Sequence, residues 1–334
     1  MHRITQIVVL LAVAGVAPGV LAQEDLVGKE ARNFSAGDML FGGEVFAKSL
    51  EACRGEVILI KYWGLNCGPC LASMPKVQKL WDDYRDKGLH IFHVESQNHT
   101  AAEIQAYCEK KGYGFPQTLR SGGTDFSGYN GGNGLPYAFI VGVDGKVIWQ
   151  GRHDYEKVIA EEIVRVRYPG LGKSGVAPEL KKSADLFGAG RYAASIAEAR
   201  KKLDAVSKGD GAPLAEEAQY IIDRAGLIGE RLKGLAEAAA EEREFGRATR
   251  IYERIAQSFQ GLPPGDEASD RLAAFKKDEG IRKELRADQT LELVMGEVKK
   301  TVNHEKQTAL LQEFAKKFSG TKAAERAARA IQNL

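Results

Sequence analysis

The sequence is poor in cysteine, and its few cysteines do not form a metal-binding pattern. Only four occur among 334 residues, and two of them, Cys53 and Cys108, stand alone. A zinc site normally takes four ligands, yet the sequence has no second CxxC pair and no HxxxH pattern. His90 and His93 lie three apart in a predicted strand, which directs them to opposite faces. The pattern therefore disfavours a metal site, and we expect no other cofactor.

A strong charge of either sign is also missing. The formal net charge is only +2 at pH 7. Such a balance gives no electrostatic basis for binding nucleic acid or an anionic membrane surface. We therefore expect no nucleic acid among the partners.

The longest apolar run covers residues 7–17 and is short for a membrane span. It follows Met1-His2-Arg3 and ends in Pro18 and the small-residue segment 20–22, which gives the three parts of a secretory signal peptide. We predict cleavage after Ala22 and a periplasmic or secreted protein. The alternative is an N-terminal membrane anchor, which needs about 20 apolar residues. No cysteine follows the run closely, so nothing indicates lipid attachment.

The most informative segment that is present is Cys67-Gly68-Pro69-Cys70, which follows the apolar run at residues 57–60. A strand that delivers a CxxC pair to the start of a helix is typical of dithiol–disulfide exchange. The N–H groups and positive dipole end of the helix lower the pKa of the first thiol, so we predict that Cys67 is the nucleophile. Cys70 lies one turn further and is predicted to resolve the mixed disulfide. Pro69 suits the first turn, where its missing N–H costs nothing.

Strands and helices alternate after residue 56, which implies a parallel βαβ core. Thr100 and Glu103 have capping-box spacing at the start of one helix. Asp144-Gly145 between two apolar runs indicates a hairpin. The predicted strands cover residues 57–62, 89–95, 137–143 and 146–150, and the predicted helices cover 67–87, 100–111 and 155–168.

These elements, with the CxxC at the first strand–helix junction and a proline opening the late hairpin, resemble the thioredoxin fold. Four separated segments resemble the TlpA-like exported thioredoxins more narrowly: residues 27–34, residues 49–57, Met74-Pro75 and residues 134–141. The resemblance covers about residues 26–168. It implies an α/β fold with a central mixed sheet flanked by helices. It also implies a periplasmic disulfide reductase, free or membrane-anchored, of a family that often serves cytochrome c maturation.

The resemblance assigns three residues to the substrate-binding side of the site. Pro136 matches the cis-proline that faces the disulfide, and Leu135 before it matches the residue whose backbone pairs with an extended substrate. Trp63 matches the aromatic that packs against the active-site loop. From the residues alone, a trans proline opening an edge strand is the commoner case, because only about 5–6% of X–Pro bonds are cis.

Three residues near the cysteines depart from the family pattern. Asn66 stands where thioredoxins often carry a second tryptophan, and Ser73 replaces the usual acidic residue before Met-Pro. Lys61 occupies the strand position where thioredoxin has a buried aspartate. If the ammonium group of Lys61 lies near Cys70, it favours the thiolate form of that cysteine. If Lys61 is buried without a partner, its amino group tends to be neutral. Its chain could instead reach solvent at the end of the strand.

Gly68 and Pro69 match the reducing thioredoxins, whereas strong oxidases tend to carry histidine between the cysteines. This predicts a reduction potential near −270 mV rather than near −120 mV. Cys53 and Cys108 are expected, from the resemblance, to lie on one sheet face away from the CxxC helix. They are either a structural disulfide or two buried free thiols.

The second half of the chain differs in composition. Residues 169–178, rich in glycine, read as a linker between a thioredoxin-like domain at 23–168 and a domain at 179–334. The latter shows helical periodicity and no strand signal, so we predict an all-α domain. An aromatic-x-x-small pattern recurs at Tyr192 and Phe245 and resembles degenerate TPR-type hairpins, although the repeat is longer than the usual 34 residues. Phe318, Ser319-Gly320 and Thr321 indicate a further turn between helices.

Two functions follow. The first is an exported thiol-disulfide oxidoreductase that reduces protein disulfides and receives electrons from a membrane or periplasmic donor, since an oxidising compartment would otherwise keep the pair oxidised. The second is an interaction protein whose helical repeats bind a partner, with the redox domain regulatory.

Overall fold

The structure is a computed structural model that describes residues 24–37, 39–40, 48–119, 123–129, 134–206, 212–332 and 334. The predicted signal peptide, residues 1–22, lies outside the described residues. Within the described ranges, no helix combines the length and the apolar character needed to cross a bilayer.

A mixed six-stranded sheet forms the centre of the first half of the chain. β2 lies inside this sheet, parallel to β3 and antiparallel to β5, and β3 is also parallel to β4. The strands are β1 (Met39–Leu40), β2 (Val57–Trp63), β3 (Leu89–Glu95), β4 (Gln117–Thr118), β5 (Tyr137–Val141) and β6 (Val147–Gly151), in the spatial order β1-β4-β3-β2-β5-β6. The helices of this half are α1 (Gly68–Tyr84), α2 (Ala101–Lys111) and α3 (Tyr155–Glu162). The arrangement confirms the predicted α/β thioredoxin fold.

The predicted elements are close to those observed. Thr100 caps α2, and its side chain and that of Glu103 form both bonds of the capping box. The last helix is shorter than predicted: α3 ends at Glu162, and a 3₁₀ turn covers Ile163–Arg165. The two-residue strands β1 and β4 were not predicted, since so short a run has no periodicity to detect.

The two isolated cysteines lie on opposite faces of the sheet. The units β2-α1-β3 and β3-α2-β4 step across the sheet in the same direction, so right-handed crossovers place α1 and α2 on one face. Cys108 of α2 therefore packs in the same core as Cys67 and Cys70, whereas Cys53 packs in the core of the other face. The expectation that Cys53 and Cys108 share a face away from α1 is wrong. Both are buried free thiols, so of the two alternatives the disulfide is also wrong.

The described residues from 178 onward form helices joined by short turns, as predicted. Tyr192 and Phe245, the two aromatics of the sequence pattern, are the first residues of α5 and α7. Thr321 accepts a hydrogen bond from the Ala324 N–H (3.1 Å) at the start of the last helix, which confirms the predicted cap. The helices are α4 (Lys181–Gly188), α5 (Tyr192–Val206), α6 (Ala212–Glu241), α7 (Phe245–Ser258), α8 (Pro263–Lys277), α9 (Glu279–Lys300), α10 (His304–Lys317) and α11 (Lys322–Gln332).

The segment predicted as a linker is irregular but firmly held. Leu171 is fully buried in the core of the helical half. Gly170 and Gly172 have φ values of +82° and +72°, which favour glycine. The Arg224 guanidinium of α6 donates to the carbonyl of Gly170 (2.9 Å) and to that of Ala52 (3.2 Å), near the sheet. The segment therefore ties the two halves together, while the predicted domain boundaries themselves stay a prediction.

Candidate redox site

The CxxC pair lies where β2 passes into α1. Cys67 is the N-cap of α1, and its Sγ accepts a hydrogen bond from the Cys70 backbone N–H at 3.2 Å. The two cysteines form a disulfide of 2.03 Å. Cys67 keeps 8% of its surface exposed, whereas Cys70 is fully buried. Of the two cysteines, only Cys67 keeps any solvent exposure, and its sulfur lies at the N-terminus of α1, where it accepts from a backbone N–H of the first turn.

Pro136 stands directly before β5, at the sheet end where β2 delivers the cysteines. The Leu135–Pro136 peptide bond is cis, as the family resemblance implied. Because Tyr137 pairs with Tyr62 in the antiparallel β2–β5 ladder, Pro136 lies level with Trp63. Leu135 is half-buried against the core that contains Cys67 and Cys70. The backbone before β5 is therefore close to the disulfide.

Trp63 lies beneath the site rather than on its surface. It is fully buried, and its ring stacks on the imidazole of His93 with centroids 4.7 Å apart. It shares a core with Cys67 and Cys70. In this position it supports the loop by packing, which corrects its grouping with the residues that contact substrate.

Lys61 is the buried cation of the site. It is fully buried, and its Nζ donates to Oγ of Ser73 at 2.8 Å. The Ser73 hydroxyl in turn donates to the carbonyl of Cys70 at 2.7 Å. Burial lowers the pKa of Lys61 to about 8, against the opposing effect of Glu156. The alternative in which Lys61 reaches solvent is therefore wrong, and so is the alternative without a partner.

A polar cluster that sequence reasoning missed holds the residue before Cys67. The Asn66 backbone N–H donates to Oε1 of Gln97 (2.8 Å), and its side-chain Nδ2 lies 3.3 Å from Nε2 of His99. The other ring nitrogen of His99 lies 2.9 Å from a carboxylate oxygen of Glu95, the last residue of β3. The parallel pairing of β2 and β3 brings together the loops that follow these strands. The predicted parallel pairing was therefore the one sequence signal that could have revealed this cluster.

The fold and the disulfide together define a thioredoxin-fold thiol-disulfide oxidoreductase. Residues 26–163 match the Redoxin family. Thiol-disulfide oxidoreductase ResA of Bacillus cereus is 28% identical over 167 residues, which cover 48% of this chain and 93% of the relative. ResA of Bacillus thuringiensis subsp. konkukian is 30% identical over 139 residues, which cover 42% of this chain and 77% of the relative. The chain belongs to this redoxin family of ResA-like thiol-disulfide oxidoreductases.

Among solved structures, a putative protein disulfide isomerase from Bacteroides thetaiotaomicron is 19% identical with a TM-score of 0.36. The aligned region covers 42% of this chain and 89% of the Bacteroides protein.

Proposed function

We propose that this chain is an exported oxidoreductase that reduces protein disulfides, with Cys67 as the attacking thiol and Cys70 as the resolving thiol. The observation that carries the assignment is the difference in position of the two sulfurs. Cys67 is partly exposed at the N-cap of α1, and Cys70 is fully buried one turn inside. A thiolate at a helix N-terminus is stabilised, and an attacking thiol must reach its substrate.

The reaction balances as two exchange steps. The Cys67 thiolate attacks one sulfur of a substrate disulfide, the other substrate sulfur leaves as a thiolate, and that thiolate takes up a proton. Cys70 then loses its proton and attacks the Cys67 sulfur. This second step forms the Cys67–Cys70 bond and displaces the remaining substrate sulfur. Two electrons pass to the substrate, and a membrane or periplasmic dithiol donor has to return them.

Leu135 and Pro136 are proposed to shape the substrate groove. Leu135 precedes β5 at the end of the sheet that carries the disulfide, so its backbone is placed to pair with an extended substrate segment. Gly68 and Pro69, the residues between the cysteines, support a low potential through their match to reducing thioredoxins. Export is supported by the signal-peptide pattern of residues 1–22.

The helical half is proposed to be a TPR-like domain that binds a protein partner. Tyr192 and Phe245 each open a helix. The Tyr192 ring packs on Phe187 of α4, and the Phe245 ring packs on Phe275 of α8. Consecutive helices of α4 to α8 pack against one another, which is typical of helical repeats. The alternative function, an interaction protein with a regulatory redox domain, rests on the same observation.

The direction of the reaction is tested by equilibrating the protein in glutathione buffers and by an insulin-reduction assay. We expect a potential near −270 mV and turnover of insulin with dithiothreitol as donor. A potential above about −180 mV, the range of disulfide isomerases, would contradict the reductase assignment. Cys70→Ser should trap mixed disulfides with native substrates in the periplasm. Cys67→Ser should abolish insulin reduction, and a pull-down that it leaves intact would show that partner binding is a separate function.

A further inference from the structure

The buried amine of Lys61 is linked through Ser73 to the backbone of Cys70, the proposed resolving residue. Ser73 connects it to the first turn of α1, because the Ser73 hydroxyl accepts from Lys61 Nζ (2.8 Å) and donates to the Cys70 carbonyl (2.7 Å). Lys61 lies in β2, which packs beneath α1, and Val57 and Leu59 on the same face of the strand belong to the core that contains Cys70. The amino group therefore sits two hydrogen bonds from the backbone of Cys70.

The groups around Lys61 leave its charge only weakly balanced. From α3, Glu156 is its charged neighbour, but that carboxylate is already paired with Lys76 of α1 at 2.8 Å. From β3, His93 faces it, and burial together with Lys61 holds the pKa of His93 well below its usual range, so this imidazole is neutral. Also from α3, Tyr155 lies beside Ser73, and burial raises its pKa well above its usual value. Among the described residues around Lys61, the one carboxylate that acts on its charge is thus shared with another lysine.

The resolving step needs the thiol of Cys70 to ionise in a buried position. Cys70 is fully buried, and burial disfavours a thiolate unless a cation or donor compensates for the lost water. Ser73 and Lys61 occupy the two positions where the family resemblance placed acidic residues. An ammonium at this point favours the thiolate directly, and by reciprocity a thiolate raises the pKa of the lysine.

We propose that Lys61 is a positioning residue for the exchange reaction: Ser73 holds its amino group against the first turn of α1, where its positive charge favours the thiolate of Cys70. In the resolving step Cys70 releases its proton, its sulfur attacks Cys67, and the bond between Cys67 and the substrate breaks. The departing substrate thiolate takes up a proton, so the protonation of Lys61 is the same before and after the step. The inference rests on the proposed function only in taking Cys70 as the resolving thiol.

The test measures the titration of Cys70 itself, without substrate. In a Cys67→Ser background, which keeps a good N-cap, the Cβ chemical shift of Cys70 is followed by NMR against pH. Adding Lys61→Met should lower the thiolate fraction of Cys70 at least tenfold at a given pH, and Ser73→Ala should lower it in the same direction. Lys79→Met, on the exposed side of α1, is the control and should leave the titration unchanged. Burial of Cys108 raises the pKa of its thiol to about 12, and residue-specific assignment separates its signal.

Three outcomes decide the inference. A Cys70 titration that is unchanged in a folded Lys61→Met protein would overturn it and leave the lysine a purely structural role. If Lys61→Met does not fold, Lys61→Gln and Ser73→Ala carry the same comparison, and unchanged titrations in both would overturn it. A Cys70 titration that depends on Lys61 in a protein with an oxidising potential would support this inference while the reductase assignment fails. The two proposals therefore fail separately.

A kinetic readout gives an independent check. A mixed disulfide between Cys67 and glutathione should resolve at least about threefold more slowly at pH 7 in Lys61→Met than in the unmodified protein, because a thiolate of higher pKa is scarcer but also more nucleophilic. Formation of that mixed disulfide, which depends on Cys67, should change less. An equal loss in both steps would contradict a role at Cys70.

Discussion

One carboxylate oxygen of Glu56 lies 2.8 Å from Nε2 of His90, and the other accepts hydrogen bonds from the N–H groups of Gly170 (3.0 Å) and Gly172 (3.3 Å). Glu56 directly precedes β2, His90 belongs to β3, and the two glycines belong to the segment that leads to the helical half. Glu56 and His90 are both buried. One side chain therefore fastens the sheet to the segment that the composition marks as a linker.

Replacement of Glu56 should strongly destabilise the protein. Glu56→Ala leaves a buried histidine and two backbone N–H groups without their partner, and loss of one member of a buried pair typically costs about 3–5 kcal/mol. Chemical denaturation measures this change in the free energy of unfolding. Glu51→Ala is the matched control, because Glu51 forms an exposed pair with Arg54 and such pairs are worth about 1 kcal/mol or less. Equal losses in the two variants would contradict the role assigned to Glu56.

The contribution of the charged His90 to stability should be lost on the alkaline side. Burial opposes the charging of His90, but the neighbouring Cys53 and Glu56 hold its pKa well above its usual 6.5. A raised pKa in the folded state means that the stabilising contribution is complete below pH 6.5 and is lost as pH rises through the folded-state pKa. His90→Gln should therefore flatten the stability profile on the alkaline side. Urea denaturation from pH 6 to pH 10 measures it, and parallel profiles would rule this cause out.

The local features of this architecture could be predicted from the sequence, whereas the long-range contacts could not. The CxxC pair at a helix start, the capping box at Thr100 and the Asp144-Gly145 hairpin depend on neighbours within a few residues, and the structure has all three. The partner of Lys61, by contrast, is 12 residues away, and the glycine bound by Glu56 is 114 residues away. The composition of a segment does not reveal such long-range hydrogen bonds. A glycine-rich segment that packs against the rest of the protein therefore has the same sequence signature as a flexible one.

The sequence also does not predict which face of the sheet each helix covers. The hydrophobic pattern of α2 shows that one side is buried, but not which sheet face receives it. That depends on strand order, because β4 adds next to β3 and the crossover is right-handed. The position of Cys108 therefore required the whole sheet, whereas the position of Cys67 required only the end of β2.

Lys61→Met should stabilise the protein at neutral pH. The drop in the pKa of Lys61 from 10.5 to about 8 corresponds to about 3 kcal/mol of burial cost for the charged form, offset by about 1 kcal/mol from the hydrogen bond to Ser73. We expect a gain of about 2 kcal/mol. Between pH 8 and 10.5 Lys61 binds more protons in the unfolded chain than in the folded one, so its burial cost in the unmodified protein shrinks as pH rises. The difference in stability between the two proteins should therefore vanish across that window. A gain that persists above that window would point to packing instead of charge.

Thiol counting should separate the two pairs of cysteines. The oxidised protein contains the Cys67–Cys70 disulfide and the free, buried thiols of Cys53 and Cys108. A thiol reagent should therefore react slowly with the native oxidised protein and with two thiols after denaturation. After mild reduction of the native protein, Cys67 should react rapidly with the reagent. Mass spectrometry identifies the labelled residue. Absence of free thiols in the denatured oxidised protein would contradict the opposite-face placement of Cys53 and Cys108.

Truncation after residue 168 should leave a redox-competent but less stable chain. Tyr168 belongs to the core of the helical half, and Glu56 and His90 would lose the cover of the following segment. The disulfide, Pro136 and the Lys61 contact all lie before the cut. We therefore expect a lower denaturant midpoint and faster proteolysis, with insulin reduction within about twofold of the full chain at a temperature where both are folded. Full stability in the truncated chain would mean that the interface contributes nothing, whereas lost activity with a native fold would place the helical half in the site.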